Sequence, residues 1–292
     1  MNQLPPLLRF AYVHWDARLP ELVALAEKES WDYKYTSSAH QFPILHNYLL
    51  HTFTRVDEEK KIAYDDLQRP QQACFNTGLL TPNYEQIFAY FAPNNRFPRV
   101  PQKWELVGFL KESDHRLTQF RLPDMPRFFD DPAELVFNPD RDIRADIDHI
   151  IVDNQRRFLD CLKMRSTAPS SGAFMMASDE EPASNIAQDP GGMDDEVRND
   201  LRHKLSSSID DAKKRARRNF KIAVPQFFRP SGGQGHIQLL LPLYIRTKNR
   251  ADLALTISHE GMAYVASTVL TLDMAYNNAR LLARPDSEWL EP

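Results

Sequence analysis

The C-terminal runs HIQLLLPLYI (236–245), ADLALTIS (251–258) and AYVASTVLTL (263–272) decide the fold of this chain. Each run is short and almost wholly apolar, as strands are when both faces of their sheet are covered. The run DMAYNNARLL (273–282) follows the third one directly, and its polar residues recur at helical spacing. We therefore predict three buried strands that lead into a helix with one polar face.

The rest of the chain mixes helical and strand periods. The runs 20–30 and 43–56 repeat their apolar residues at helical spacing. A period of two predicts strands at 61–64, 73–78, 86–91, 104–110 and, as a possible fifth, 134–137. For 148–158 we favour a helix over a strand, and we see no internal repeat. This pattern predicts an α+β protein, with a mostly antiparallel sheet or pair of sheets and helices packed on it.

Residues 166–200 interrupt the pattern. They contain eight acidic residues and a single basic one, Arg198. Such a segment cannot bury enough apolar surface to offset its chain entropy, so we predict an acidic, flexible insertion or linker. We expect one large domain around it, with an N-terminal part at 1–165 and a C-terminal part at 201–292.

The composition excludes several classes of protein. The net charge is −4, so a nucleic-acid surface would have to be local. Cys74 and Cys161 have no zinc-ligand neighbours, and we find no Walker A, GxGxxG, HExxH or GxSxG motif. We therefore predict no metal and no cofactor. Without a signal peptide or an apolar run near the ~18 residues of a membrane span, we expect a cytoplasmic protein that does not contact membranes.

A basic amphipathic helix is predicted at 201–221. Its apolar seam consists of Leu201, Leu205, Ile209, Ala212 and Ala216. Eight lysines and arginines face two aspartates over this stretch, a charge density that suits phosphate backbones. The candidate contacts are Lys213, Lys214, Arg215, Arg217 and Arg218. A solvated helix face, neutralised by the acidic segment, is the alternative.

Two further groups of polar residues are candidates for ligand binding. Asn76 and Thr77 follow a predicted strand and could present their side chains to a phosphate or a sugar, although an ordinary turn explains them as well. Asp273, Asn277 and Arg280 share one face of the C-terminal helix at spacings of four and three. For this face, the alternative is a structural hydrogen-bond network between helix and sheet.

The segment 148–158 holds the candidate catalytic residues. In a helix, His149 and Asp153 lie four residues apart on one face, so Asp153 could orient His149 as a general base. Arg157 follows on the same side and could bind an anion, with Asn154 beside it. A surface network of ion pairs is the alternative.

Several blocks of the sequence carry a family resemblance. They are FPILHNY (42–48), HTFTRV (51–56), FNTGLLT (75–81), YEQIFAYF (84–91), HIIVDNQRRF (149–158), LLLPL (239–243) and LTLDMAYNNARL (270–281). In these blocks the chain resembles an uncharacterised domain family found mainly in bacteria. The resemblance implies one intact domain and a link to RNA-related proteins through domain fusions. It brings no activity with it.

Three functions are compatible with these patterns. The leading hypothesis is an RNA-binding protein that uses the helix 201–221 for backbone contacts and the polar candidates as a pocket. The rival is an enzyme acting on a nucleotide or phosphoester, with His149 as base and Arg157 or Arg280 as anion clamp. The third is a protein-interaction module whose acidic segment 166–200 becomes ordered on a partner.

Overall fold

The structure, a computed structural model, describes residues 4–38, 40–65, 67, 69, 71–97, 99–163, 194–230 and 233–291. The chain forms two compact units. Unit 1 consists of Met1–Asp32 and Ser38–Arg127, and unit 2 of Tyr33–Ser37 and Phe128–Pro292. The predicted N-terminal part, 1–165, is therefore spread over both units. Most of the predicted acidic insertion, 166–193, lies outside the described residues.

Unit 1 is a sheet with helices packed on one face. The helices are α1 (Pro6–Phe10), α2 (Trp15–Leu25) and α3 (Pro43–Glu58). The strands are β1 (Ala11–Tyr12), β2 (Ala63–Tyr64), β3 (Ala73–Leu80), β4 (Gln86–Pro93) and β5 (Trp104–Lys111). The strand order is β1-β5-β4-β3-β2, and all pairs are antiparallel except β1 with β5.

Aromatic side chains form much of the core of unit 1. Side chains alternate between the two faces of a strand, so neighbours in β3 point in opposite directions. Phe75 meets Phe53 of α3, with 5.2 Å between ring centroids, and Phe91 of β4 at 5.9 Å. Cys74 instead belongs to the cluster on the other face, which Phe120 and its neighbours cover. Both faces of this sheet are therefore buried.

Unit 2 contains the second sheet. Its strands are β6 (Asp142–Ala145), β7 (Val224–Phe228), β8 (His236–Leu243), β9 (Leu253–Glu260) and β10 (Ala263–Leu270). Its helices are α4 (Ile147–Asp153), α5 (Gln155–Lys163), α6 (Asp195–Arg218) and α7 (Leu272–Arg280). The strand order is β6-β10-β9-β8-β7, and here too all pairs are antiparallel except the first.

The sheet of unit 2 lies between two helical layers. Leu239 of β8 packs in one core with Leu205 of α6. Gln238 precedes Leu239 and so points to the opposite face, where Gln226 donates a 2.8 Å hydrogen bond to it. Asn278 of α7 donates to Gln226 at 3.1 Å. Thus α6 covers one face of the sheet and α7 covers the other.

The two units share one topology. In each, a short first strand runs parallel to the last strand, and the other three strands follow in antiparallel order. The last strand of each sheet carries a bulge halfway along, at Val107 in β5 and at Ser267 in β10. The parallel partner ends before the bulge in both cases. The expectation of no internal repeat therefore holds for the sequence pattern and not for the topology.

The predicted fold class is confirmed, and so are the three C-terminal strands and the helix after them. The possible strand at 134–137 is wrong. Pro132–Leu135 is a 3₁₀ helix, because Pro132 fits a first helical turn and the Asp131 side chain accepts a hydrogen bond from Ala133 N. The basic helix begins at Asp195 rather than at 201, since the Asp194 side chain caps it by accepting from Glu196 N.

A substitution of Gly78 would test the packing of unit 1. Gly78 has a φ of +74°, and a Cβ there would lie 2.7 Å from Tyr48 Oη. We expect Gly78→Ala to lower the free energy of unfolding by about 2–5 kcal/mol, from about 1–2 for the left-handed backbone and about 1–3 for overpacking. Urea unfolding measures this change.

Gly261→Ala is the matched control. Its φ is +57°, but nothing lies within 4 Å of the added Cβ, so only the backbone cost of about 1–2 kcal/mol is expected. Introducing Gly78→Ala into a Tyr48→Phe background should reduce its cost, because the clashing hydroxyl is gone. Equal losses for the two glycine variants would contradict this account.

Candidate functional site

The apolar seam of α6 determines which side of the helix faces solvent. All five predicted seam residues are buried: Leu201, Leu205, Ile209, Ala212 and Ala216. Ser208 lies on the same side, and its hydroxyl accepts a 2.7 Å hydrogen bond from Tyr244 N at the end of β8. The lysines and arginines of the helix are thereby turned away from the core.

Three of the five candidate cations hold α6 in place. Lys213 forms an ion pair with Asp142 of β6, and this contact lowers the pKa of the Asp142 carboxyl. The Arg215 guanidinium lies 4.3 Å from the centroid of the Tyr244 ring. Arg217 Nε donates to Pro139 O at 3.3 Å. These contacts fix the rotation of the helix against the sheet.

The other two candidate cations, Lys214 and Arg218, point outwards. The Lys214 side chain is 73% exposed, and its only ion pair with a described residue is a 3.7 Å contact to Asp211. Arg218 is exposed and forms no ion pair or hydrogen bond with any described residue. Arg217 is also exposed, beyond its contact with Pro139. The C-terminal half of α6 therefore presents a basic face formed by Lys214, Arg217 and Arg218, hereafter the basic face.

The predicted His149–Asp153 pair is present on the surface of α4. His149 Nε2 lies 3.0 Å from Asp153 Oδ2, and the two side chains are 66% and 52% exposed. The neighbouring Asp148 pairs with Arg202 of α6, with 2.8 Å from Nε to Oδ1. This arrangement matches the surface network that the sequence offered as the alternative, and the imidazole is open to solvent.

Asn154 and Arg157 contact the last strand of the sheet instead. Arg157 Nη1 donates to Asn154 Oδ1 at 2.6 Å and to Val269 O at 2.5 Å. Thr268 Oγ1 donates to Asn154 Oδ1 at 2.8 Å. Burial lowers the pKa of Arg157. Together these side chains occupy the free edge of β10 beyond the point where β6 ends.

Unit 1 has the counterpart of this contact. Arg18 and Glu21 of α2 form a 2.7 Å ion pair. Arg18 Nε donates to Leu106 O at 3.1 Å, and Glu21 Oε1 accepts from Phe109 N at 3.1 Å. Both backbone groups flank the bulge of β5. In each unit, the helical segment after the short parallel strand, α2 in unit 1 and the junction of α4 and α5 in unit 2, thus supplies polar side chains to the unpaired edge of the last strand.

The candidates on α7 are held inside unit 2. Asp273 is 2% exposed and accepts hydrogen bonds from the Thr36 hydroxyl and from Lys34 N and Tyr35 N. Its pKa is raised, because burial opposes the charged form more than these hydrogen bonds favour it. Asn277 Nδ2 donates to Tyr33 Oη at 2.5 Å. Arg280 is 9% exposed.

Asn76 and Thr77 belong to a bulge in β3, where the register shifts. Asn76 is 1% and Thr77 0% exposed. Asn76 Nδ2 donates to Gln86 Oε1 at 2.6 Å, and its Oδ1 accepts from Gly78 N. Thr77 Oγ1 donates to Ile87 O at 2.7 Å. Both side chains are used within the sheet, and neither is presented at its surface.

Within unit 2, the predicted pocket residues lie on opposite faces of the sheet. His149 and Arg157 belong to the helices on one face of the unit 2 sheet, whereas Arg280 belongs to α7 on the other. Asn76 and Thr77 are buried in unit 1. What the structure keeps together at a surface is the C-terminal half of α6.

Sequence reasoning missed one exposed residue beside the basic face. Phe220 falls within the predicted helix 201–221, but it lies in a 3₁₀ turn, Phe220–Ile222, and is 62% exposed. The signal was available, because an aromatic residue that directly follows a run of arginines is a common element of nucleic-acid surfaces.

Metal binding and cysteine chemistry find little support in the described part of the chain. No three His, Cys, Asp or Glu side chains there are close enough to hold a metal ion. Burial raises the pKa of Cys74 to about 12 and, as the main cause, that of Cys161 to about 11, so both remain thiols at neutral pH. None of the described helices is long and apolar enough to cross a membrane.

Asn154 tests the structural role of its cluster. We expect Asn154→Ala to lower the free energy of unfolding by about 1–3 kcal/mol, because the Thr268 hydroxyl and the Arg157 guanidinium lose a buried acceptor. His149→Ala, on the exposed side of α4, should change it by no more than about 0.5 kcal/mol. Chemical denaturation of the two variants measures both values, and a neutral Asn154→Ala would refute the structural role.

Asp273 makes the stability depend on pH. Its folded-state pKa is raised above the ordinary ~3.9, so the folded protein binds this proton more tightly than the unfolded chain. The resulting stabilisation is complete below about pH 4 and is lost as the pH rises through the raised value. The stability of the wild type relative to Asp273→Asn should therefore fall over this range in denaturation curves. A pH-independent difference would show that hydrogen bonding cancels the effect of burial, and a difference that rises with pH would show that hydrogen bonding outweighs it.

Comparison with known proteins assigns a family. The model of the domain of unknown function DUF3825 matches residues 22–289 and thus spans both units. The searches of curated proteins and of solved structures found no match. The match covers nearly the whole described fold, including α6 and every strand but β1, so the chain belongs to the DUF3825 family.

Proposed function

We propose that this protein binds nucleic acid, RNA in the first place, through the basic face of α6. The observation that carries the proposal is that some cations of the helix contact the sheet and others point into solvent. Lys213 and Arg215 are engaged with the sheet of unit 2, whereas Lys214 and Arg218 project into solvent from the same rigid scaffold.

The local charge favours this function. Six lysines and arginines occur between positions 213 and 221, with no acidic residue among them, although the whole chain has a net charge of −4. Three of the five acids of α6, Asp195, Glu196 and Asp200, lie at its other end, and the remaining two, Asp210 and Asp211, precede the cations. A phosphate backbone would therefore be attracted to the C-terminal half of the helix, where it releases counterions on binding.

The rigidity of the helix adds to the argument. The buried seam, the Ser208–Tyr244 hydrogen bond and the ion pair of Lys213 with Asp142 hold the backbone of α6 in place. A phosphate ligand would then order only the ends of a few side chains, which keeps the entropic cost of binding low.

Replacing the basic face tests the proposal. In the variant Lys214→Gln, Arg217→Gln, Arg218→Gln, glutamine keeps a good helix propensity while removing three positive charges. We expect weaker binding of a fluorescein-labelled single-stranded RNA in anisotropy titrations. The salt slope, d log K/d log[salt], should become less negative by about 2, because each lost contact to a single strand contributes about 0.7.

A variant of equal charge serves as control. Arg9, Arg99 and Lys103 of unit 1 are exposed, and changing all three to glutamine removes the same charge elsewhere. This control should bind RNA with nearly the slope of the wild type. Equal losses in the two triple variants, or no binding by the wild type at about 50 mM salt, would contradict the proposal.

A further inference from the structure

Phe220 is an exposed aromatic ring on a fixed turn. Its side chain is 62% exposed, yet its backbone is ordered by Asn219 at the end of α6. Asn219 Oδ1 accepts from Lys221 N at 3.2 Å, and Asn219 O accepts from Ile222 N at 3.1 Å. Trp289 Nε1 donates to Ile222 O at 2.9 Å. The ring is therefore held at the surface by a rigid support.

The ring borders an apolar cleft within unit 2. The cleft has a volume of about 230 Å³, and its walls include Leu135, Val136, Val224, Ala279 and Leu282. Val136 is itself 50% exposed. Pockets that enclose a whole small-molecule ligand measure about 300–1,000 Å³, so this cleft is suited to part of a larger ligand, such as one planar ring.

The charges around the cleft indicate the class of that ligand. Arg217 and Arg218 precede Phe220 by three and two residues, and Lys221 and Arg284 stand at the rim of the cleft. Asp286 also lies at the rim, where it pairs with Lys221 at 3.1 Å. Cations beside an exposed aromatic ring fit a chain that alternates phosphates with planar bases better than an apolar peptide.

We infer that Phe220 and this cleft receive an unpaired nucleobase of a single strand whose phosphates lie along the basic face. The inference rests on the proposed function and narrows its substrate to single-stranded nucleic acid. In a duplex, the faces of the bases are covered by their neighbours, so only an unstacked base can lie on the Phe220 ring.

A comparison of single-stranded with double-stranded RNA separates the contribution of base stacking to the affinity from that of charge. Phe220→Ala should weaken binding of an unstructured single strand by about 5- to 150-fold, the range for losing one base–aromatic contact. Binding of a duplex of the same length should change by less than about twofold, and the salt slope should stay that of the wild type, since no charge is removed. Phe220→Trp should retain the single-strand affinity, because indole also stacks on bases.

A spectroscopic readout reports the contact directly. The fluorescence of a 2-aminopurine base in the single strand should be quenched by the wild type and by Phe220→Trp, and should recover with Phe220→Ala. Met262→Ala is the matched control, since Met262 is 87% exposed in the same unit and lies outside the cleft lining. It should leave affinity and quenching unchanged.

The outcomes distinguish this inference from the proposed function. If Phe220→Ala binds the single strand like the wild type while the basic-face variant loses affinity, the function stands and the base subsite is wrong. The cleft would then be left for an apolar segment of a protein partner. Equal losses for single strand and duplex would also overturn the base subsite. No binding of either RNA at about 50 mM salt would overturn both proposals.

Discussion

The architecture depends on how each sheet satisfies the free edge of its last strand. A buried backbone group without a hydrogen-bond partner costs about as much as a lost hydrogen bond. The parallel strand β1 covers only the first two residues of β5, and β6 covers the first four of β10, and each long strand has a bulge beyond that cover. Arg18 with Glu21, and Asn154 with Arg157, reach from the adjacent helix to serve the rest. This requirement explains why a polar pair recurs at one place in both units.

The two polar pairs at the strand edges differ in net charge. In unit 1, Glu21 neutralises Arg18 within the same helix. In unit 2, the corresponding partner is the neutral Asn154, and Arg157 forms no ion pair with a described carboxylate. Burial therefore acts on an uncompensated cation, which accounts for the lowered pKa of Arg157. Three oxygen acceptors around Arg157 Nη1 offset part of the free-energy cost of burying its charge.

Helix α6 can combine a structural role with the proposed function because one of its faces packs on the sheet and another faces solvent. The buried seam and the contacts of Lys213 and Arg215 attach it to the sheet. The basic face is left for solvent and for an anionic ligand. The acids at the start of the helix and the cations at its end also complement the helix dipole, so the charge pattern does not oppose folding. The exposed ring of Phe220 lies directly after this helix, on a turn that Asn219 caps.

Pattern reasoning found the long strands and missed several short elements, although it did place the two-residue β2 within 61–64. The strands β8, β9 and β10 were predicted because covered sheet faces demand apolar runs. The strands β1 and β6 are too short to show a period, and the 3₁₀ turn at Pro132–Leu135 was mistaken for a strand because a few apolar residues fit either structure. The repeated topology escaped notice, since it is a property of strand pairing and leaves no repeat of residues.

The fold class, the seam of α6 and the concentration of positive charge at 213–221 could be predicted from the residues alone, because apolar spacing and charge are local properties of the chain. Which polar residues remain accessible depended on the packing of the folded chain. This packing buried Asn76, Thr77 and Asp273 and left His149 and Phe220 exposed. The physical reason is that a polar side chain can serve the fold or a ligand, and the backbone groups it must satisfy are brought to it only by distant parts of the chain.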